Sequence, residues 1–239
     1  MLRSASFFTF GKYVNSFFSF LFVAFCIAPK VFLFSLSEER KVRKKFYGQV
    51  HFAKLDRWLK KLYRFHNPYV ICKRFLRSRR AAFEDAYGET PLTVFHDMFL
   101  RGELNSQDCF VDLGCGRGRG VLFASSVWNV RALGVEQIPF FCEQAKKLVS
   151  LGANKAQFFC QEISSFPMSL GSFFYFYGLC LEEEELLRSC KALEKIPLHA
   201  KLVTVSFPIT EYSSNFSLLS SWEAVYPWGV TKLFLHQRK

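Results

Sequence analysis

The sequence predicts an α/β domain in which short buried strands alternate with amphipathic helices. The first observation is Cys109–Gly120, where an apolar run stops at Asp112 and glycines follow at alternate positions before a helical stretch. This pattern is typical of a buried strand that turns sharply into a helix, where the backbone approaches a ligand. The second observation is the alternation of strand-like and helical runs along residues 131–207. A chain of 239 residues, half of them apolar, suits one such domain with appendages.

The spacing of the glycines distinguishes between two kinds of site. A dinucleotide site requires G-x-G-x-x-G, and counting from either Gly114 or Gly116 leaves the last place without a glycine. The loop instead reads D-x-G-x-G-x-G, from Asp112 to Gly118. This motif resembles the glycine loop of class I S-adenosylmethionine-dependent methyltransferases, with a merely structural turn as the alternative. The resemblance implies that Asp112, Gly114, Gly116 and Gly118 bind the methionine half and ribose of S-adenosyl-L-methionine.

The resemblance covers about residues 87–239 and implies a fold as well as a cofactor. The implied architecture is a Rossmann-like α/β fold, the seven-stranded methyltransferase sheet. Its strand order is 3-2-1-4-5-7-6, the last strand is antiparallel, and here a helical basic N-terminal extension precedes it. After the first strand at the glycine loop, strands two to seven are expected at Arg131–Glu136, Ala156–Cys160, Phe173–Tyr177, Lys201–Phe207, Ser217–Tyr226 and Thr231–Gln237.

Two glutamates at the ends of predicted strands are candidate cofactor ligands. Glu136 ends strand two, 18 residues after Gly118. A carboxylate at this place accepts hydrogen bonds from both ribose hydroxyls. Glu162 follows strand three, where the family has an acid that holds the adenine amino group. An exposed glutamate at a strand end is the alternative for Glu162.

A third candidate segment, Tyr87–Pro91, precedes a predicted helix from Leu92 to Leu100. Its Y-G-E resembles a segment of the histone lysine methyltransferases that lack a SET domain, where it borders the cofactor. Its T-P followed by a helix resembles membrane-bound lysine methyltransferases of the ATP synthase c-subunit type. The resemblance implies that Tyr87 and Glu89 bind the cofactor. A turn that ends in a capping Thr90 before a helical proline explains the same residues structurally.

The acceptor side is expected between the end of strand four and the segment before strand one. There Tyr177 and Glu89 are the candidate catalytic residues, because a hydroxyl and a carboxylate can hold an acceptor amine. By strand alternation Tyr177 is equally well a core residue. Residues 178–180 depart from the D/N-P-P-Y/F of many methyltransferases of bases and glutamine, which argues against those substrates. Eight scattered cysteines without zinc spacing predict reduced thiols and no metal site.

Three hypotheses about function follow. The first is a membrane-associated methyltransferase that acts on a protein lysine or another amine, the unidentified methyl acceptor. The second is a small-molecule or lipid methyltransferase. The third is a non-catalytic module that binds membrane or nucleic acid, which the intact glycine motif and downstream acids disfavour. No acid–base pair is expected, since a sulfonium methyl is already activated and needs chiefly an aligned nucleophile.

Charge and hydropathy divide the chain into three segments. Residues 1–80 hold 18 Lys/Arg and 3 Asp/Glu, a net of +15, so the +12 of the whole chain leaves −3 for the rest. We therefore expect a hydrophobic segment at 1–37, a basic and mostly helical lead-in at 38–86, and the methyltransferase domain at 87–239.

The N-terminal segment is a candidate membrane anchor. Its apolar core, Phe17–Ala28, lies between Lys12 and Lys30, and the 17 residues between these lysines span about 25 Å as a helix. The basic run Arg40–Lys45 follows, which favours the cytoplasmic side or anionic lipid. The expected location is therefore the cytoplasmic face of a membrane, or the cytoplasm. For the apolar segment, a buried or interfacial helix is an alternative, and so is a cleaved signal peptide, although the sequence after the apolar run lacks an A-x-A pattern. For the basic run, a solvated linker is the alternative.

The basic lead-in is predicted to be helical. Lys54–Tyr63 places Leu55, Trp58, Leu59 and Leu62 on one face, and Tyr69–Arg80 continues with aromatic and basic residues. A lid or a helix on a membrane surface is favoured, and binding to nucleic acid is possible but not favoured.

Overall fold

The computed structural model describes residues 28–81, 87–178 and 181–239. A seven-stranded sheet forms its centre. The strands are β1 Cys109–Leu113, β2 Arg131–Glu136, β3 Ala156–Cys160, β4 Phe173–Phe176, β5 Lys201–Val205, β6 Phe216–Tyr226 and β7 Gly229–Arg238. Their order is β3-β2-β1-β4-β5-β7-β6, with β1 to β5 parallel and β7 antiparallel to both of its neighbours. The predicted fold class and strand order are confirmed.

Seven α-helices surround the sheet in the described part of the chain. They are α1 Ala28–Phe46, α2 Val50–Leu62, α3 Pro68–Ser78, α4 Leu92–Arg101, α5 Arg119–Val127, α6 Pro139–Ser150 and α7 Glu183–Leu193. Asn67 caps α3 by accepting a hydrogen bond from the Tyr69 N–H, and Pro68 occupies the first turn, where its missing N–H costs nothing. Four consecutive glutamates, Glu182 to Glu185, stand at the start of α7, where the positive end of the helix dipole favours them.

The aromatic strand β4 shows how the sheet separates two cores. All four of its residues are buried, as expected for a strand covered by helices on both faces. Phe173 and Tyr175 pack into a core shared with α4 and α5, whereas Phe174 and Phe176 pack into a core shared with α7. Tyr177 follows the same alternation and lies against the first core. Because Tyr177 directly follows β4, it lies where the carboxyl ends of the parallel strands meet.

The N-terminal helices are built into the first of these cores. Phe52, Leu55 and Leu59 of α2 are fully buried, and Val42 and Phe46 near the end of α1 join the same cluster. The basic residues therefore occupy the outer faces of helices whose inner faces cover the sheet. The expected boundary at residue 87 stays a prediction, although residues 42–63 share a core with the chain that follows it.

The first ten residues of α1 differ from the rest of the helix. Phe32 and Leu33 are 62% and 64% exposed, and no side chain described within residues 29–37 is buried. The predicted apolar core Phe17–Ala28 lies almost entirely outside the described residues. None of the described helices combines the length and the hydrophobicity of a membrane span. The basic run Arg40–Lys45 belongs to α1 itself and is not a linker.

Candidate active site

A cleft opens at the carboxyl ends of β1, β2 and β4. The sheet order reverses between β1 and β4, and α/β sheets bind their ligands at this switch point. The glycine loop forms its floor, the Tyr87–Thr90 segment one wall, and α3 another. Of the predicted site residues, the cleft is lined by Tyr87, Glu89, Asp112, Gly114, Gly116, Glu136 and Tyr177.

The glycine loop requires its glycines for two separate reasons. Gly114, Gly116 and Gly118 have φ of +86°, +53° and +79°, in the left-handed region that side chains disfavour. A Cβ at Gly116 would also lie 3.2 Å from the Tyr87 hydroxyl oxygen, and one at Gly118 would overlap the Phe158 ring. The loop thus keeps the cleft floor bare of side chains at Gly116, while Gly118 lies beneath β3.

Glu136 is held by the backbone around it. Its carboxylate accepts the Gly116 N–H at 2.8 Å and the Ile138 N–H at 2.8 Å. Burial raises the pKa of Glu136 to about 7, although these backbone donors act in the opposite direction. The strand end and the glycine loop are therefore joined through one buried carboxyl group.

Asp112 lies beside Glu136 and is buried at the end of β1. Its carboxyl group has no hydrogen bond or ion pair to any residue that the structure describes. Burial, followed by repulsion from Glu136, raises the pKa of Asp112 to about 8. Two buried acids without a cationic partner fit a ligand that brings positive charge. S-adenosylmethionine does so through its sulfonium and ammonium groups, so Asp112 and Glu136 suit this cofactor, which supplies the activated methyl group.

Glu89 is engaged by the glycine loop. Arg117 donates from Nη2 to Glu89 Oε2 at 2.6 Å and from Nε to Oε1, and the Tyr87 hydroxyl also donates to Oε1 at 2.6 Å. Burial raises the pKa of Glu89, but Arg117 outweighs this and holds it below its usual value. In this arrangement Tyr87 and Glu89 tie the wall of the cleft to its floor. Arg117, which lies at a variable position of the motif, was missed by the sequence reasoning.

The structure does not bring Glu162 into the cleft. Glu162 is exposed and lies 3.4 Å from Arg79 Nη1, at the end of α3. Its neighbours Gln161 and Ile163 line the cleft instead. The buried Gln161 Nε2 has no hydrogen-bond partner in the described residues and is a donor for a ligand in the cleft. The predicted adenine contact of Glu162 stays a prediction, and Gln161 is the better placed residue.

Aromatic side chains form the opposite end of the cleft. The ring centroids of Tyr177 and Trp228 are 5.8 Å apart with an interplanar angle of 62°. Trp228, from the turn between β6 and β7, lies so close to Gly88 that a Cβ there would be 2.7 Å from its Cζ3. Tyr175 lies beneath, with its hydroxyl 2.6 Å from Thr90 Oγ1. The sequence indicated Tyr177 as a candidate, whereas Trp228 lies between the predicted strands six and seven and was not singled out.

Helix α3 covers the cleft on the side of α6. Cys72, Phe75 and Leu76 line the cleft, and Arg79 donates to Gln137 Oε1 at 3.2 Å at the rim. This position of α3 is consistent with the lid predicted for the basic lead-in.

Comparisons with known proteins agree with this geometry. The family model "Histone methylation protein DOT1" matches residues 69–178, a little less than half of the chain, including the Y-G-E segment and the glycine loop. No curated protein matches the chain.

Solved structures share the fold at low identity. An RNA methyltransferase from Salinibacter ruber, in complex with S-adenosyl-L-homocysteine, is 20% identical with a TM-score of 0.50, over 62% of this chain and 91% of its own. TrmN from Thermus thermophilus is 12% identical with a TM-score of 0.53, over 61% of this chain and 48% of its own, so the match spans about half its length. MtNAS, in complex with MTA and tNA, is 14% identical with a TM-score of 0.53, over 84% of this chain and 74% of its own.

These likenesses show the fold, while the family match spans the cofactor motif itself. The seven-stranded sheet, the glycine loop and the buried acids at the ends of β1 and β2 agree with it. The chain is a class I S-adenosylmethionine-dependent methyltransferase.

Proposed function

We propose that this enzyme methylates an amine, foremost a lysine side chain of a protein, at a membrane surface. The observation that carries the choice of an amine is the pair formed by Tyr177 and Trp228 at the acceptor end of the cleft. Aromatic faces attract alkylammonium groups, and the attraction is stronger where water is excluded. Such a pair accommodates both the aliphatic stem of a lysine and its methylated product.

The chemistry of transfer requires little else from the protein. The neutral amine attacks the sulfonium methyl group in line, the carbon–sulfur bond breaks, and S-adenosylhomocysteine leaves as a neutral thioether. The product is a methylammonium group, which carries the positive charge and can release a proton to solvent. The protein contributes mainly alignment, which Tyr177 and the Tyr87–Thr90 segment provide from two sides of the cleft.

A protein acceptor is supported by the family comparison. The matching family is described as acting in histone methylation, and the match includes the Y-G-E segment that borders the cleft. Tyr177 and Trp228 both line the cleft and are only partly buried, which suits a long side chain that enters from outside. A small-molecule or lipid amine is the alternative acceptor.

Membrane association is supported by α1. Its exposed apolar residues Phe32, Leu33 and Leu36 continue the apolar sequence before residue 28, and the exposed basic side chains of the run Arg40–Lys45 follow. An apolar stretch that is followed directly by Lys and Arg residues suits insertion into a membrane with anionic headgroups. Glu38 accepts the Thr93 N–H at 3.0 Å. This contact joins the middle of α1 to the start of α4, the helix that follows the Tyr87–Thr90 segment. An acceptor amine near the headgroups would therefore be near the cleft.

The experiment is transfer of labelled methyl groups from S-adenosylmethionine into membrane and soluble fractions of a lysate. The expected result is label in membrane-fraction protein that hydrolyses to methyllysine. Label in the lipid or small-molecule extract would identify the alternative acceptor. The matched control is Asp112→Ala, in which labelling of either kind should disappear.

A further inference from the structure

The N-terminal helices carry only three acidic residues. Within residues 1–80 these are Glu38, Glu39 and Asp56, against 18 Lys/Arg. Each of them contacts the chain beyond residue 87: Glu38 contacts Thr93, while Glu39 and Asp56 both contact Arg119. All three acids of this strongly basic segment therefore contact the catalytic domain, and Glu38 and Asp56 are buried against it.

Arg119 is the residue on which two of these acids converge. It directly follows Gly118 and begins α5, so its backbone is continuous with the glycine loop. Its Nε lies 2.7 Å from Asp56 Oδ1 and its Nη2 lies 3.2 Å from Oδ2, while Nη2 also lies 3.0 Å from Glu39 Oε2. A two-point contact fixes the plane of the guanidinium group as well as its position.

Asp56 is itself held from several sides. It is fully buried and accepts hydrogen bonds from Lys60 Nζ at 2.6 Å and from the Tyr47 hydroxyl at 2.6 Å. Burial raises the pKa of Asp56, but Arg119 and Lys60 outweigh this and hold it well below its usual value. The carboxylate is ionised at physiological pH, so the ion pair with Arg119 is fully formed.

The loop needs to be held from outside. Three of its residues are glycines with positive φ, and glycine loses more conformational freedom on ordering than any other residue. Ordering each residue costs conformational entropy, and a loop that is ordered before the ligand arrives spares the binding step this cost. Arg117 ties the loop to Glu89, and Arg119 ties its end to α1 and α2.

We propose that Asp56, together with Glu39, is a positioning residue for the cofactor. Through Arg119 the two acids hold the glycine loop in its binding conformation, which makes α1 and α2 part of the cofactor-binding machinery. These residues lie outside the segment that matches the family model, which begins at residue 69. This role of the two acids concerns cofactor binding alone and does not depend on which acceptor the enzyme methylates.

The test compares Asp56→Asn with Glu38→Gln in the full-length chain. Both variants neutralise a buried acid that joins an N-terminal helix to the domain, but only Asp56 is linked to the glycine loop. The readouts are the Kd for S-adenosylhomocysteine by calorimetry and the melting temperature without ligand. We expect Asp56→Asn to raise Kd by about tenfold or more, and Glu38→Gln to leave Kd within about twofold while both lower the melting temperature.

Steady-state kinetics and a milder variant complete the test. With the membrane fraction of a lysate as methyl acceptor, a positioning role predicts that Asp56→Asn raises the KM for S-adenosylmethionine while kcat at saturation is retained. If Asp56→Asn does not fold, Glu39→Gln takes its place, since Glu39 is partly exposed and shares the contact with Arg119. It should raise Kd by about threefold, again with Glu38→Gln as control. Equal Kd values in the Arg119-linked variants, Glu38→Gln and the wild type would overturn the proposal.

Discussion

The Glu136 carboxylate accepts the Gly116 N–H at 2.8 Å and so joins the end of β2 to the middle of the glycine loop. The same carboxyl group accepts the Ile138 N–H, which fixes the entry to α6. Two residues that the sequence identified separately, 20 positions apart, thus act as one unit in the structure. A change at either of them should alter the cofactor site as a whole.

Gly116→Ala should weaken cofactor binding strongly. An added Cβ would lie 3.2 Å from the Tyr87 hydroxyl, and the residue would keep a φ of +53°, which costs alanine about 1 kcal/mol or more. The matched control is Gly152→Ala, which also has positive φ but lies in the turn after α6, outside the cleft. Calorimetry should show a raised Kd only for Gly116→Ala. Equal losses of affinity in both would indicate general destabilisation.

Glu136→Gln should lower the affinity for S-adenosylmethionine by roughly 1–3 kcal/mol. The amide has a single acceptor oxygen and its NH₂ group would face one of the two N–H donors, so the loop loses a contact as well as a charge. Glu162→Gln is the comparison, because Glu162 is exposed and pairs with Arg79 at the rim. We expect its Kd to be close to that of the wild type. A larger loss at Glu162 than at Glu136 would restore the adenine contact predicted from the sequence.

The pH dependence of stability should reveal the two buried acids. Because their pKa values in the folded protein are raised to about 8 for Asp112 and about 7 for Glu136, the ligand-free protein binds more protons than the unfolded chain between about pH 4 and 8. Their contribution to stability is therefore full below pH 4 and is lost as the pH rises through 7 and 8. Asp112→Asn should flatten this decline in thermal melts. An unchanged slope would show that Asp112 is ionised in the folded protein at lower pH.

Tyr177→Phe should lower turnover more than it lowers cofactor affinity. The ring and its contact with Trp228 remain, so only the hydroxyl near the acceptor is lost. Comparing kcat with the Kd from titration separates the two effects. Tyr175→Phe is the control, since its hydroxyl is buried against Thr90 and Tyr226. Wild-type kcat in Tyr177→Phe would place the acceptor elsewhere in the cleft.

Shortening the chain should separate membrane attachment from cofactor binding. A chain beginning at Leu36 keeps Glu38, Glu39 and the buried end of α1, so it should leave the membrane fraction and bind cofactor as the full chain does. A chain beginning at Tyr47 loses both acids and should melt at lower temperature and bind cofactor more weakly. Full-length protein in the soluble fraction at low salt would count against the anchor.

Local patterns in the sequence were sufficient for most of the fold. Strands β2 and β3 have the predicted bounds, and β4 and β5 end one or two residues earlier than predicted. Apolar runs of four to six residues between glycine and proline signals identify buried strands well, because both faces of such a strand must be apolar. The glycine spacing indicated the cofactor equally well, because the whole D-x-G-x-G-x-G motif lies within the seven residues from Asp112 to Gly118.

The parts that the sequence missed depend on distant pairs of residues. Arg117 and Arg119 occupy variable places of the motif, and their partners Glu89 and Asp56 lie 28 and 63 positions earlier. No periodicity indicates that a buried acid of α2 would meet the start of α5. At the end of β3 the sequence alone does not show which of two neighbouring side chains enters the cleft; the turn directs Gln161 into it and Glu162 towards Arg79.

Calorimetric titration of the wild-type chain and of Asp112→Ala with S-adenosylmethionine tests directly whether the cleft at the glycine loop binds this cofactor. We expect saturable binding at one site in the wild type and none in the variant, with both proteins folded by circular dichroism. Absence of binding in the folded wild type, or equal binding in both proteins, would contradict this expectation.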